Sequence, residues 1–465
     1  MSEASAPHPT ASRVGTTTRD PVLDLVRVLC VALVVVGHML MIGAAVVPGR
    51  GLVVERTLLE TNWIGPVTWV AQVMPLFFVV GGFAGIGAWR RLEASGGTAA
   101  DFIRSRILRL ARPSIALFAT LALAILVMHL TGIDPVAIRL IGMGISSPLW
   151  FLAAYAFAQA YLPGLATFHS FAPWQTLATL AGGALTFDVL RFTTGIEALG
   201  LLNMTFVWLF VQQLGFWMAD GWFRARSKVT VAAIGGSAYL LLVGLVGIGY
   251  PGNMLDNLNP PTFAIVALAV GQTCLLVLVH PALARLMNVQ AVRAVVATVG
   301  SRLMTIYLWH LPVLALVIGL LLLTPLPSPS AGSAEWWLTR PVIFLVMVGV
   351  LAGISMLFGR LERPLPSNGI RVPDWSAGIA AACMVVPPFA VIVFGLDFVV
   401  AASSAILLAG AVLLLRPRPA RLRERGPTTV ALQRSVRPVR SVRPHRSLAR
   451  LNEPESSDAT TPDQA

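Results

Sequence analysis

An all-α, polytopic transmembrane helical bundle is the fold this sequence predicts, and three observations predict it. Of 465 residues, 56% are hydrophobic and only 12% are charged, against about 25% charged in soluble domains. Twelve apolar runs, each near the length that crosses a bilayer, follow one another along the chain. Arginine is concentrated in alternate loops between those runs, an asymmetry that orients membrane helices.

The elements follow in order. Residues 1–20 are rich in Ser, Thr, Ala and Pro with no apolar run before Pro21, so they read as a disordered lead-in and not a cleavable signal. Spans are expected near 22–44, 66–88, 113–132, 148–168, 174–192, 201–221, 229–249, 261–281, 303–323, 341–359, 376–395 and 398–415. The last two form a hairpin over 376–415, the weakest pair, because Pro387 and Pro388 interrupt one and only Gly395 to Asp397 separates them. Arg90, Arg91, Arg104, Arg106, Arg109 and Arg112 join the second and third spans. Other alternate loops carry Arg224, Arg226 and Lys228, then Arg285 and Arg293, then Arg360, Arg363 and Arg371, whereas Glu55, Glu60, Asp134, Asp256 and Glu335 fall between them. The alternation places both termini in the cytoplasm, and the membrane expected for the chain is the plasma (inner) membrane.

The Arg- and Pro-rich tail, 416–465, is too polar to form a core and reads as disordered, its arginines suited to anionic headgroups. A formal net charge of +13 does not point to nucleic acid, because the arginines sit in short loops and in this tail. Cys30, Cys274 and Cys383 lie singly in apolar runs and read as buried thiols, with neither a disulfide framework nor a metal site. No long polar segment interrupts the spans, so any chemistry belongs to the bundle.

The first span, VLDLVRVLCVALVVVGHMLMIGA, carries Asp24, Arg27 and His38. Eleven residues at about 100° each return His38 to within roughly 20° of the Arg27 face, about 16 Å along the helix. One reading is an Asp24–Arg27 pair snorkelling at the membrane edge with a packed core histidine. The other makes His38 a general base and Arg27 a fork for a phosphate or carbonyl oxygen. MPLFFVVGGFAG offers Gly81, Gly82 and Gly85 for close helix approach. In RSRILRLARP, Arg106, Arg109 and Arg112 recur every three residues, fitting either topology and lipid contact or an anion site. SPLWFLAAYAF places Trp150 at an expected outer interface. SRLMTIYLWHLPV sets Tyr307 and His310 a turn apart, as an aromatic cluster or a site. FGRLERPL holds Glu362 between two arginines, where a surface ion pair is expected. His129, His169, His280 and His445 form no recognisable cluster.

In this order, from D-L-x-R-x10-H through MPLFFVVGGF, the Arg-x-x-Arg segment, SPLWFL, TIYLWHLP and the LERPL ending, the chain resembles the membrane acyltransferase-3 family over roughly Asp20 to Pro366. The resemblance implies a ten-helix membrane acyltransferase domain at 21–366 and leaves the last two helices and the tail as additions. It implies an O-acyltransferase that binds no cofactor, takes acyl-CoA (acetyl-CoA foremost) as co-substrate, and acylates a hydroxyl of a cell-envelope glycan or glycolipid. His38 would then act on the acceptor hydroxyl, Arg27 on the thioester, with Asp24 orienting Arg27. Arg106 and Arg109, with Arg112 beside them, would hold the CoA phosphates. Trp150, Tyr307, His310 and Glu362 would line the substrate site. The family's usual small Ser before Gly-Phe is Gly81 here. A transporter or flippase of a lipid-linked sugar is the competing class, but the D-x-x-R-x10-H pattern has no second copy in the latter half.

Overall fold

The computed structural model describes residues 20–47, 49, 51–55, 63–324, 329–330, 332–363 and 372–416, apart from the side chains of 46, 47 and 55. The chain divides into two units, Met1–Pro417 and Arg418–Ala465, and the described residues all fall in the first. The expected lead-in before Asp20, the tail beyond Arg416 and the end of the LERPL motif lie outside the described residues.

The helices are α1 (Pro21–Met41), α2 (Ile64–Ala71), α3 (Met74–Ala94), α4 (Ala99–Leu130), α5 (Pro135–Ser146), α6 (Leu149–Phe171), α7 (Pro173–Thr194) and α8 (Asn203–Ala219). They continue as α9 (Lys228–Gly247), α10 (Phe263–Leu286), α11 (Gln290–Gly300), α12 (Leu303–Leu322), α13 (Ala334–Phe358), α14 (Asp374–Phe394) and α15 (Phe398–Leu414). Each of the twelve expected spans has its helix. Among the described residues, ten helical segments are long and apolar enough to cross a membrane. The two spans missing from those ten are α7, which carries Asp188 and Arg191, and α15, which has 17 residues.

Three details depart from the expected layout. The Arg104–Pro113 segment is not a loop but the first part of α4, which runs on through Pro113. Thr98 and Asp101 start that helix with a reciprocal capping box. The second span is broken at Gln72 and Val73, where backbone groups freed inside the bundle must find other partners. Gln72 Oε1 accepts from the Met74 amide at 3.0 Å, and Gln272 donates to the Gln72 carbonyl at 2.7 Å. After α1 comes an antiparallel hairpin, β1 (Gly43–Val47) and β2 (Gly51–Glu55), with Gly43 opposite Glu55.

Ion pairs and hydrogen bonds gather alternate helix ends into one arginine-rich end. Asp20, the N-cap of α1, accepts from Val22 N at 3.0 Å and meets Arg224 at 3.1 Å and His280 at 2.9 Å. Asp220, just past α8, meets Arg90 from α3 at 2.5 Å and His169 from α6 at 2.9 Å. Arg104, buried near the start of α4, donates from Nε to the Leu415 carbonyl at 2.9 Å, so the end of α15 reaches the same end of the bundle. His169 and His280, which form no cluster in sequence, are thus ties between helices.

Candidate active site: a histidine pair above a basic cavity

Near the middle of the bundle α1 and α12 bring two imidazoles together. His310 Nε2 lies 3.1 Å from His38 Nδ1, and the ring centroids are 5.0 Å apart. The local backbone fixes how the protons are arranged. His310 Nδ1 lies 2.5 Å from the Tyr307 carbonyl, and His38 Nδ1 lies 3.0 Å from the Val34 carbonyl. A carbonyl only accepts, so in the neutral rings both Nδ1 atoms carry the proton; this assignment rests on the hydrogen-bond network. His310 Nε2 is then bare and accepts from His38 Nδ1–H, and His38 Nε2 is left with a lone pair. A neutral histidine with a bare nitrogen, oriented by a second group, is the arrangement a general base needs. His310 is fully buried, while His38 keeps part of its surface accessible.

Depth follows from helix geometry. His310 is about 10 Å along α12 from Leu303, and α12 continues roughly 18 Å beyond it. The first helix, by contrast, ends at Met41, three residues past His38. The strands of the hairpin and α5 occupy the space beyond, β1 against α12 and β2 against α5.

Toward the arginine-rich end, a cavity of about 70 Å³ opens between α1, α3, α4, α6, α12 and the short 3-10 turn Gly359–Glu362. Arg27, Arg106 and Arg109 line it together with Tyr155, Gln159, Tyr307 and Glu362, and its apolar wall includes Phe77 and Phe151. Two of its donors are unused: Arg106 Nε and Gln159 Nε2 are buried and have no hydrogen-bond partner among the described residues. The Arg106 guanidinium lies over the Phe102 ring, 4.8 Å from its centroid. Buried donors without partners cost stability, so a cavity lined by them suits a ligand rich in acceptor oxygens. Tyr307 connects cavity and histidines, since it lines the one and precedes His310 by a turn.

Glu362 is not in the expected surface ion pair. It is only 6% exposed, and its carboxylate accepts from the amides of Met304 and Thr305, at 3.3 and 2.7 Å, and from the Thr305 hydroxyl. These are the first amides of α12, whose positive end favours an anion. Arg302 donates in return to the Gly359 carbonyl at 2.7 Å, and Arg112 donates to the Arg363 carbonyl at 3.0 Å. The Gly359–Arg363 segment therefore anchors the helix that carries Tyr307 and His310, and Arg112 serves that anchor instead of lining the cavity.

Trp150 is also displaced from its expected place. Tyr307 donates to the Pro148 carbonyl, so α6 begins beside the histidine pair and not at an outer interface. Trp150 is 8% exposed and stacks on Trp208 with centroids 5.7 Å apart, behind the cavity wall. The cause is α5, a helix read from sequence as a loop, which lets α6 start inside the bundle. Asp24 sits half-buried one turn before Arg27 and is not part of the cavity wall. At Gly81, an added Cβ would lie 2.9 Å from Tyr155 Cε2, so the tyrosine ring fills the space a serine would take.

The sequence alone does not single out Gln159, Tyr155 or Thr305. A lone Gln in the middle of an apolar span was a usable signal for Gln159. Nothing comparable marks Thr305.

With this geometry in place, comparison with known proteins is decisive at the level of family. The family model described as an acyltransferase domain, that of the acyltransferase-3 family, matches residues 20–359. That match begins at the cap of α1 and ends at Gly359, just past α13, leaving Glu362, α14 and α15 beyond it. No curated protein matches the chain, and no solved structure does. The chain belongs to the acyltransferase-3 family, and it is a membrane acyltransferase.

Proposed function

We propose that this enzyme moves a short acyl group, acetyl foremost, from acyl-CoA in the cytoplasm to a hydroxyl of a cell-envelope glycan or glycolipid. The observation that carries the reading is the placement of two sites in one bundle, linked by Tyr307, which lines one and precedes His310 of the other by a turn. A cavity with three arginines lies at the arginine-rich end, and an oriented histidine with a bare Nε2 lies deeper in the same bundle. The positive-inside rule supports placing the arginine-rich end in the cytoplasm, with both termini. Arg106 and Arg109 hold the donor's phosphates, for which guanidinium forks are suited. Arg27, oriented by Asp24, and the unused Gln159 amide hold carbonyl oxygens of the donor.

In the chemical step, His38 Nε2 takes the proton of the acceptor hydroxyl as that oxygen attacks the thioester carbonyl. The tetrahedral intermediate collapses, the carbon–sulfur bond breaks, and the thiolate recovers the proton from His38. While His38 is an imidazolium, its Nδ1–H faces the bare Nε2 of His310, a charge-assisted hydrogen bond that stabilises the intermediate.

Full-length protein in liposomes, supplied with acyl-labelled acetyl-CoA and envelope extract, tests this reading. Label should pass to a glycan or glycolipid fraction, and His38→Ala should lower turnover about 10²–10⁴-fold with protein abundance unchanged. Undiminished transfer by His38→Ala removes the general-base assignment. Label passing only to protein or to lipid amines removes the proposed acceptor class.

A further inference from the structure

A second cleft, of about 270 Å³, opens where the turn after α8 meets the start of α9 and the end of α10. Its rim is basic: Arg224, Arg226, Lys228 and His280. Its floor is apolar and includes Val231 from α9 and Val277 and Leu278 from α10. It does not share a lining residue with the donor cavity.

The charges of the rim are only partly balanced. Asp20 meets Arg224 and His280. Arg226 is held in place, donating to the Trp222 carbonyl at 2.5 Å with its guanidinium 3.3 Å from the Trp222 ring centroid. Among the described residues, neither Arg226 nor Lys228 makes an ion pair. Beside the floor, Val229 and Val279 are exposed apolar residues on two helices long enough to cross the membrane. A ligand here needs a negative head and an apolar tail.

We propose that this cleft binds an anionic phospholipid, its phosphate against Arg226, Lys228 and Arg224 and an acyl chain along Val231, Val277 and Leu278. A free phosphate would use the rim but not the floor, which is why the lipid is the better fit. The site also adjoins the active-site helix. Asp20 accepts from the Val22 amide at Oδ1 and from Arg224 at Oδ2, so a phosphate that draws Arg224 away removes one of the contacts that hold the carboxylate capping α1. Bound lipid therefore alters protection of the first turn of α1, the helix that carries Arg27 and His38.

The test uses full-length protein released from vesicles of phosphatidylcholine mixed with phosphatidylglycerol, with retained lipid counted by native mass spectrometry. Wild type should retain phosphatidylglycerol in preference to phosphatidylcholine. Arg226→Gln with Lys228→Gln should weaken that retention about fivefold per cation removed, with helix content by circular dichroism unchanged. Arg293→Gln with Arg360→Gln removes two exposed cations outside the cleft and should leave retention as in wild type. Equal loss in both double variants assigns the effect to general surface charge and overturns the site. Thermal protection by inorganic phosphate in pure phosphatidylcholine, as strong as that by phosphatidylglycerol, makes the ligand a soluble anion and overturns the lipid assignment. Hydrogen exchange at Val22 and Leu23 reports the link to α1: amide protection unchanged by phosphatidylglycerol removes that part of the proposal.

Discussion

His310 is the residue whose role is most easily separated from simple packing. Its Nδ1 is held by the Tyr307 carbonyl, its Nε2 faces His38, and it lies outside the cavity wall. It acts through His38 and is a positioning residue. His310→Phe keeps an aromatic ring but removes the acceptor, so turnover should fall by about 10–100-fold, at or below the lower limit of the roughly 10²–10⁴-fold typical of direct acid–base catalysis, while donor KM stays near wild type. His310→Gln offers an amide oxygen to His38 Nδ1–H and should recover part of the loss. Steady-state kinetics against acyl-CoA separate the cases. Equal damage by both variants, or a rise in KM alone, shows that the ring is only packing.

Residue by residue, spacing explains what could be read ahead of the structure. Arg27 and His38 share a helix stripe by arithmetic alone, and Arg106 and Arg109 share one too. Partners distant in sequence could not be read in this way. His38 and His310 are 272 positions apart, and nothing in either segment says which helix its neighbour is on. Glu362 reads as a surface ion pair because arginines flank it. Its carboxylate instead finds the first amides of a helix 57 residues earlier, where bonds to Thr305 replace solvent. Trp150 misleads for a related reason: aromatic residues belong at interfaces when a span starts at one, and α6 starts inside.

At the scale of elements, close approach of α3 and α8 sets the position of the cavity wall. An added Cβ on Gly82 would lie 2.1 Å from the Gln212 carbonyl oxygen, and one on Gly215 would lie 2.1 Å from the Val79 carbonyl oxygen. Backbone stands against backbone there, so no rotamer change gives relief. Gly82→Ala should destabilise the protein by about 1–3 kcal/mol or more, read as a lower unfolding midpoint in detergent. Gly144, on α5, has nothing within 4 Å of its ideal Cβ. Gly144→Ala should be neutral or raise the midpoint slightly, since alanine favours a helix by about 1 kcal/mol over glycine. Gly82→Ala as stable as Gly144→Ala would falsify the account of this contact. The GGFAG stretch made small-residue packing legible in the sequence, but not which helix it meets.

For the molecule as a whole, the question is what α14 and α15 do, since the family match ends at residue 359. They are not a loosely attached hairpin. Both lie against α4, and α14 also lies along α6; Met384, Ala380 and Leu408 are fully buried there. One hydrogen bond and one close backbone approach reinforce the apolar contacts. Arg104 reaches the Leu415 carbonyl, and Gly142 of α5 lets the Leu396 carbonyl lie 2.6 Å from its ideal Cβ. Arg104 is on the same helix as Arg106 and Arg109, within about a turn and a half, so the hairpin braces the segment that lines the cavity. Truncation after Val372 should therefore do more than lower the unfolding midpoint. It strips cover from a long face of α4, leaves the buried Arg104 without its acceptor at a cost of about 1–3 kcal/mol, and loosens Arg106 and Arg109. Donor binding should weaken more than turnover at saturating donor, because His38 and His310 are on α1 and α12, away from the hairpin. Arg104→Met, which keeps length and apolar bulk but no donor, should reproduce a small part of the binding loss without exposing the face. Calorimetry with a non-transferable CoA thioether, alongside unfolding in detergent, measures both effects. A truncated protein that unfolds earlier yet binds the thioether as wild type would leave the hairpin a stabiliser only, and unchanged behaviour in both would remove its bracing role.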